Sequence, residues 1–330
     1  MKFIYSLTLL ALCISLFSQR SKDGIGTINA PNTIVNAYTS LTNDANAGTS
    51  TINVANSASF SVGDLIMIIQ MQGTKVNAYW EDGSFNDPNN STAIPNPTNL
   101  TYGSILDYYT CGNNEFAEIT SIPNGTSITL DCSLKNSYTY SVNINIPGSW
   151  GNHTAYGNVQ VIKVPRYSSL TINSGGSITC PQWNGTTGGV VAVEVEGNTI
   201  LSNSPSINAD GKGFRGGITD NSTLFGGNKW GAINRDQGGY KGESIAGDTN
   251  IYKNYAALIS RGAIANGGGG GCAHNAGGGG GANGGNIINY NGLGNPVAGY
   301  NNIWNLEFAG MATNISSGGG RGGYSFSNSN

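Results

Sequence analysis

The stretch Gly267–Gly285 reads GGGGGCAHNAGGGGGANGG. Two runs of five glycines flank Cys272-Ala-His274-Asn-Ala, and a third block, Gly318-Gly-Gly-Arg321-Gly-Gly, follows near the end. Glycine costs about 1 kcal/mol per residue in a helix relative to alanine, so no ordinary helix forms here. The runs also bring no side chains with which to build a core. Such chain is either disordered or held by backbone packed on backbone. From Gly262 onward the only charged residues are Glu307 and Arg321, whereas a soluble disordered tail normally carries more charge. Ile287, Tyr290, Tyr300, Trp304 and Phe308 recur in the same part. We therefore expect an ordered module in which extended runs, of polyproline-II type, lie side by side. Their N–H and C=O groups must then pair between neighbouring runs.

Charge is scarce throughout. Asp, Glu, Lys and Arg make up 10 % of the chain, against about 25 % in ordinary soluble domains. The formal net charge is −3, and no basic stripe exists to neutralise phosphates, which argues against nucleic acid as a partner. Residues 1–18, MKFIYSLTLLALCISLFS, combine Lys2 with an apolar run too short to span a bilayer comfortably, followed by the small Ser18. That is the pattern of a secretory signal. Leu10-Ala11-Leu12-Cys13 is a poor lipidation site, because Leu12 is bulky and Cys13 lies inside the apolar run. No later segment is long and apolar enough to cross a membrane. The expected location is extracellular or on the outer cell surface.

Read in order, residues 19–45 form a polar arm. Ser50–Val54 is a short strand, Phe60–Asp64 a turn, and Leu65–Met71 (LIMIIQM) a strand buried on both faces or within a tight barrel. Residues 76–104 make a long loop. Phe116–Ile122, turning at Pro123-Asn124-Gly125 into Ser127–Asp131, has the alternation and turn chemistry of a hairpin. Beyond residue 150 the strands shorten. Val159–Val164, Leu170–Ile172, Ser177–Cys180, Val190–Val195, Ile200-Leu201 and Ser206–Ala209 are separated by Gly, Asn, Ser or Pro. That spacing suits a β-solenoid, with a β-sandwich as the alternative, since no exact repeat period is legible. The expected organisation is a signal (1–18), a β-rich unit (19–150), solenoid-like strands (151–217) and the glycine-rich module (218–330). Tyr252–Arg261 is the one plausible helical turn.

Groups for chemistry are few. His153 and His274 are the only histidines. Cys272 and His274 at i, i+2 point to one face of an extended chain, but a spacer between glycine runs is the simpler reading. A polysaccharide lyase or hydrolase needs clustered carboxylates with a basic residue nearby. Asp210, Lys212 and Arg215 form a tight cluster of mixed charge, with Arg235-Asp236 a smaller one. Asp210-Gly-Lys-Gly also suits a turn whose Asp bonds its own backbone. We therefore assign no catalytic residue and hold Asp210, Lys212 and Arg215 as the fallback cluster. Asp82, Asp87, Asn89 and Asn90 in one loop offer oxygen ligands for calcium, although no EF-hand is present. No spacing supports zinc, and no other cofactor is implied. Export permits disulfides, and Cys111 and Cys132, which flank the hairpin, are the best pair. Cys180 and Cys272 are candidates for buried free thiols.

Several segments occur in a specific order: Phe60-x-x-Gly63-Asp64, then Ile68-Ile-Gln70-Met-Gln72-Gly73, Val159–Tyr167, Trp183-Asn-Gly-x-x-Gly188-Gly, Asn208–Gly217 and the glycine runs. Together they resemble the N-terminal region of large cell-surface proteins of Bacteroidota. Those proteins are often adhesin-like, exported by the type IX system, and some are linked to gliding motility. The resemblance covers most of residues 45–290 and implies an adhesive or structural role. Such proteins usually continue into further repeats and a C-terminal sorting domain, whereas this chain stops at Ser-Asn-Ser-Asn330, so a fragment of a longer protein is an open expectation.

The expectation is thus all-β: a small β unit, a β-solenoid-like (parallel β-helix) region, and a glycine-rich module of polyglycine-II type. The expected function is structural or adhesive, without catalysis, toward a surface glycan or extracellular polymer. A carbohydrate-active β-helix enzyme and a passive matrix component are the alternatives.

Overall fold

The computed structural model describes residues 20–76, 105–145, 152–202, 204, 206–219, 239–247, 264–271 and 277–281. Among them the regular structure is all strand, with no helix. The signal, the loop with Asp82, Asp87, Asn89 and Asn90, the turn at 252–261, Arg235-Asp236 and Cys272–His274 lie outside the described residues. Contacts divide the chain into two units that interleave in sequence. One draws on Met1–Ile69, Asn113–Tyr138 and Val159–Gly213, the other on Gln70–Gly112, Thr139–Asn158 and Phe214–Asn330.

In the first unit a six-stranded antiparallel sheet runs in the order Ala37–Ser40, Val159–Val164, Leu65–Gln70, Asn114–Asn124, Ser127–Leu130, Thr51–Asn53. The hairpin forms as expected, and Thr126 N–H donates to Asn124 Oδ1 at 2.9 Å to close its turn. Leu65–Gln70 alternates: Ile66, Ile68 and Gln70 are buried, Leu65, Met67 and Ile69 half-buried. The expected double burial is therefore corrected to one core face. That face packs Ile66 and Ile68 with Ala117, Ile119, Ile128, Leu130, Val159 and Val161. Burying each such side chain contributes about 1.5–3 kcal/mol.

The expected polar arm is corrected too. Ile25–Ile28 pairs in parallel with Ser169–Ile172, which pairs in parallel with Thr199–Leu201. Thr33–Ile34 pairs in parallel with Ile178–Thr179, and Ile178 also bridges Ile207. Arg166–Tyr167 pairs in parallel with Glu194–Val195. Leu170 thus faces Thr199 and Arg166 faces Glu194, so the two ladders advance along the chain by nearly the same step. Ile28, Leu170, Ile172 and Ile178 fill the interior of these ladders. The arm does not read as strand from sequence because Ile25–Ile28 and Thr33–Ile34 are short and their partners lie in the distant segment 169–179.

The expected strand Val190–Val195 shrinks to Glu194–Val195. Side chains take the place of a neighbouring strand for the rest. Asn36 Nδ2 donates to the Ala192 carbonyl at 2.5 Å, and Ala192 N–H donates to Asn36 Oδ1 at 3.2 Å. Tyr38 donates its hydroxyl to the Val190 carbonyl at 2.7 Å. Gln160, fully buried, does the same for Gly188: its Nε2 donates to the carbonyl at 3.1 Å and its Oε1 accepts the N–H at 3.0 Å. A primary amide carries one acceptor and one donor at peptide spacing, so it substitutes for one step of a β-ladder.

In the second unit Lys75–Val76 pairs with Ile105–Asp107 and Ser141–Asn145 with Asn152–Tyr156, both antiparallel. The described glycine-rich segments and the run 268–271 are joined backbone to backbone. Tyr240 N–H donates to the Ile218 carbonyl at 3.1 Å and Glu243 N–H to the Arg215 carbonyl at 2.9 Å. Gly239 N–H donates to Gly271 and Gly242 N–H to Gly268, at 3.0 and 2.6 Å, while Gly279 N–H donates to Gly269 at 2.7 Å. A Cβ at Gly268 would collide with the Gly279 carbonyl oxygen, and one at Gly217 with that of Tyr240. Glycine is required at both positions by approach distance rather than by φ.

Candidate functional site

The second unit holds a cleft of about 260 Å³ walled by Arg215, Tyr240, Lys241, Glu243, Ser244 and Ile264, with Gly216, Gly217 and Gly242 as backbone wall. The pairing of 215–218 with 240–243 builds one side of it. Glu243 grips Arg215 at three points. Arg215 Nε donates to Oε2 at 3.0 Å, Nη2 donates to Oε1 at 3.2 Å, and the Arg215 backbone N–H donates to Oε2 at 3.1 Å. Gln72 Nε2 also donates to Oε1, at 3.3 Å. The Glu243 side chain is 7 % exposed and that of Arg215 55 %. The hydrogen bonds that the guanidinium donates to Glu243 outweigh desolvation and hold it above its ordinary pKa. Arg215 is thus positioned along one edge by Glu243 while much of its side chain meets solvent.

The residues of the fallback cluster are divided between the two units. Asp210 and Lys212 sit in a turn of the first unit, and Arg215 falls in the second. Gly211, at φ +67°, and Lys212 N–H, donating to Ala209 at 3.1 Å, make that turn. The side chain that stabilises it is not Asp210's. Asn208 Oδ1 accepts from Asp210 N–H at 2.7 Å, because the side-chain acceptor of an Asx turn lies two residues before its donor. Neither Tyr240 nor Glu243 stands out in the sequence, since both lie in a stretch without periodicity. One weak signal exists: Glu243 stands as far beyond Arg215 as Glu194 stands beyond Arg166, and each is an arginine–glutamate pair.

Two ion-paired centres of the first unit also escape sequence reading. Arg166, 8 % exposed, donates Nη1 to Glu118 at 2.5 Å and Nε to Glu194 at 2.8 Å. Burial works against its charge, and the two carboxylates outweigh burial, raising its pKa. Asp64, 2 % exposed, takes Lys22 at 2.5 Å, Lys163 at 3.0 Å and the Ser61 N–H at 2.8 Å. Desolvation alone would raise the Asp64 pKa, but these partners together hold it below the ordinary value. Asp64 is the turn residue its sequence context implies, and it also neutralises two lysines.

Cys111 and Cys132 are free thiols here, so the expected disulfide is not formed in this structure. Cys111 Sγ faces the Met71 carbonyl at 3.5 Å, burial raising its pKa, and Cys132 is exposed. Cys180 is buried and free. Among the described residues no group of three or more His, Cys, Asp or Glu is arranged to hold a metal, and no helix is long and apolar enough to cross a membrane.

No protein-family model matches the chain, and no curated protein matches it. Solved structures offer weak likenesses. The Gp54 tailspike of Acinetobacter baumannii bacteriophage AP22, in complex with A. baumannii capsular saccharide, is 12 % identical over 47 % of this chain and 19 % of its own, with a TM-score of 0.21. Tailspike gp61 of Pseudomonas phage phi297 is 11 % identical over 52 % of this chain and 18 % of its own, TM-score 0.21. Tailspike gp49 of Pseudomonas phage LKA1 is 12 % identical over 47 % and 24 %, TM-score 0.19. The match spans less than a quarter of each of those chains, and TM-scores this low establish no shared fold.

Proposed function

We propose that this chain is an exported, non-catalytic structural or adhesive module of a bacterial surface protein of the Bacteroidota kind, with a parallel β-solenoid and a backbone-packed glycine module. The nearly equal offsets of the parallel ladders support the solenoid, since stacked coils pair each strand with its equivalent one coil on. The observation that carries the proposal is the backbone pairing of the glycine-rich segments 215–218 and 239–243 with one another and with the glycine run 268–271, which in turn pairs with Gly279. Backbone so paired is held by main-chain hydrogen bonds, which suits a rigid element outside the cell. The ordered sequence motifs also have structural duties. Gly63 and Gly188 take φ of +81° and +107°, Trp183 is buried, and Gln70 Nε2 donates to the Thr139 carbonyl at 2.8 Å while Gln70 Oε1 accepts from Thr139 N–H at 2.8 Å.

The test is binding of the full chain to surface polysaccharides on a glycan array, run beside a turnover screen on uronic-acid polymers. Binding without turnover is the expected result. Turnover would replace this reading with an enzyme, and absence of any binding would leave a passive matrix component. The enzyme reading has one observation in its favour: Arg166 brings Glu118 and Glu194 to a single guanidinium. It requires that Glu194→Gln abolish turnover in a chain that still folds, as read by circular dichroism.

A further inference from the structure

We propose that the cleft at Arg215, Tyr240 and Glu243 is a binding site for a single carboxylate-bearing sugar residue, such as a uronic acid within a surface polysaccharide. This rests on the adhesive reading and adds to it a place and a ligand class. The cleft lining carries two cationic side chains, Arg215 and Lys241, against one carboxylate, Glu243, in a chain whose formal net charge is −3. Of these Lys241 is buried, whereas Arg215 keeps much of its side chain in solvent, so Arg215 is the group that an anionic residue would meet. A guanidinium has five N–H donors in a fixed planar fork. Glu243 uses the Nε and one Nη2 donor, so the Nη1 side remains geometrically suited to a second carboxylate. The Arg215–Glu243 contact sets the plane of that fork in advance, which lowers the entropy cost of recognition.

Size and wall chemistry favour a sugar over an acidic peptide. At about 260 Å³ the cleft falls just under the roughly 300–1,000 Å³ of sites for drug-sized ligands. Tyr240 in the lining supplies an aromatic wall against which a pyranose can pack. Glycines 216, 217 and 242 keep the wall low, so a polymer is able to enter side-on with one residue seated.

The experiment is titration of the full chain with digalacturonate, its methyl ester and digalactose. The structure leads us to expect digalacturonate to bind at least about tenfold tighter than either neutral dimer, the difference expected of one charge-assisted bidentate contact. Arg215→Ala should erase that preference, Arg215→Lys should keep only part of it, and Tyr240→Ala should weaken all three dimers together. The methyl ester removes the ligand's charge with the protein untouched, so the test survives a variant that fails to fold. Equal affinity for acid and ester overturns the proposal, as does a preference that persists in folded Arg215→Ala. Equal binding of a Glu-Glu dipeptide overturns the saccharide assignment. Each of those results leaves adhesion through other glycans or surfaces intact. Absence of binding to any glycan or surface removes the adhesive reading and this site together.

Discussion

The antiparallel sheet of the first unit and the glycine runs of the second solve the same problem with opposite means. Both must satisfy every buried N–H and C=O. In the sheet, Ile66, Ile68, Ile119, Ile128 and Val161 exclude water, and the ladder bonds follow from that packing. Where glycines meet in the second unit they bring no side chain to exclude water, and close approach of the backbones does so instead. Gly217 and Gly268 have no room for a methyl group. The sheet therefore tolerates exchanges of similar volume but resists cavities. The glycine module has no side-chain volume to lose, and at its contact points it resists any added atom. Between the two strategies lie the amide clamps of Asn36 and Gln160, where a side chain stands in for backbone.

Four measurements break or sharpen that comparison. Ile68→Ala should have the largest effect, about 2–5 kcal/mol, because it opens a cavity in the fully buried core. Denaturant unfolding followed by a probe in the first unit reads it, and a loss below about 1 kcal/mol would show that the sheet does not depend on side-chain packing. Gly217→Ala should follow, at about 1–3 kcal/mol, through overpacking against the Tyr240 carbonyl. Amide exchange at residues 239–243 and 268–271 is the readout, and protection that survives the substitution would falsify backbone-on-backbone packing. Its neighbour Gly216 has open space where a Cβ would sit, so Gly216→Ala serves as the control, within about 0.5 kcal/mol of the parent.

Gln160→Leu keeps the volume of a clamp and removes its polarity. It strands the Gly188 N–H and C=O in a buried site, and the expected cost is about 1–3 kcal/mol. If Gln160→Leu proves neutral, the clamp is not what holds the 181–189 loop. The smallest effect concerns Asp64. Its folded pKa lies below the ordinary carboxylate value, so the stability it contributes is present above about pH 3.9 and is lost as pH falls through the folded value. Asp64→Asn should lower stability at neutral pH and flatten the decline on the acid side. An unchanged acid limb would place the acid sensitivity elsewhere.

The legible parts of the fold are local ones. The hairpin at 114–130, the strand Val159–Val164 and the turn at Gly63-Asp64 each carry their own alternation or turn residue close at hand. The arm at 19–45 is not legible, because Ile25–Ile28 makes sense only beside Ser169–Ile172. The coil length is hidden for a related reason. A long excursion through the antiparallel sheet separates the strand Ile25–Ile28 from its partner, and where the coils follow directly the buried Leu170 and Ile172 pair with the exposed Thr199 and Leu201. Of the site, Arg215 stands out by its charge. Its partner Glu243 does not, since nothing in the intervening chain predicts an antiparallel return.

By itself the sequence determined that the chain is β-rich, poor in charge, and obliged to pack glycine backbone on backbone wherever that stretch is ordered. Those properties depend on composition and on neighbours close in sequence. The tertiary structure alone decided which strands pair in parallel, which amides replace a missing strand, and that Arg215 is held by Glu243. Pairing energies depend on distance in space, and the residues concerned lie far apart along the chain, as Asn36 does from Ala192 and Ile25 from Ser169.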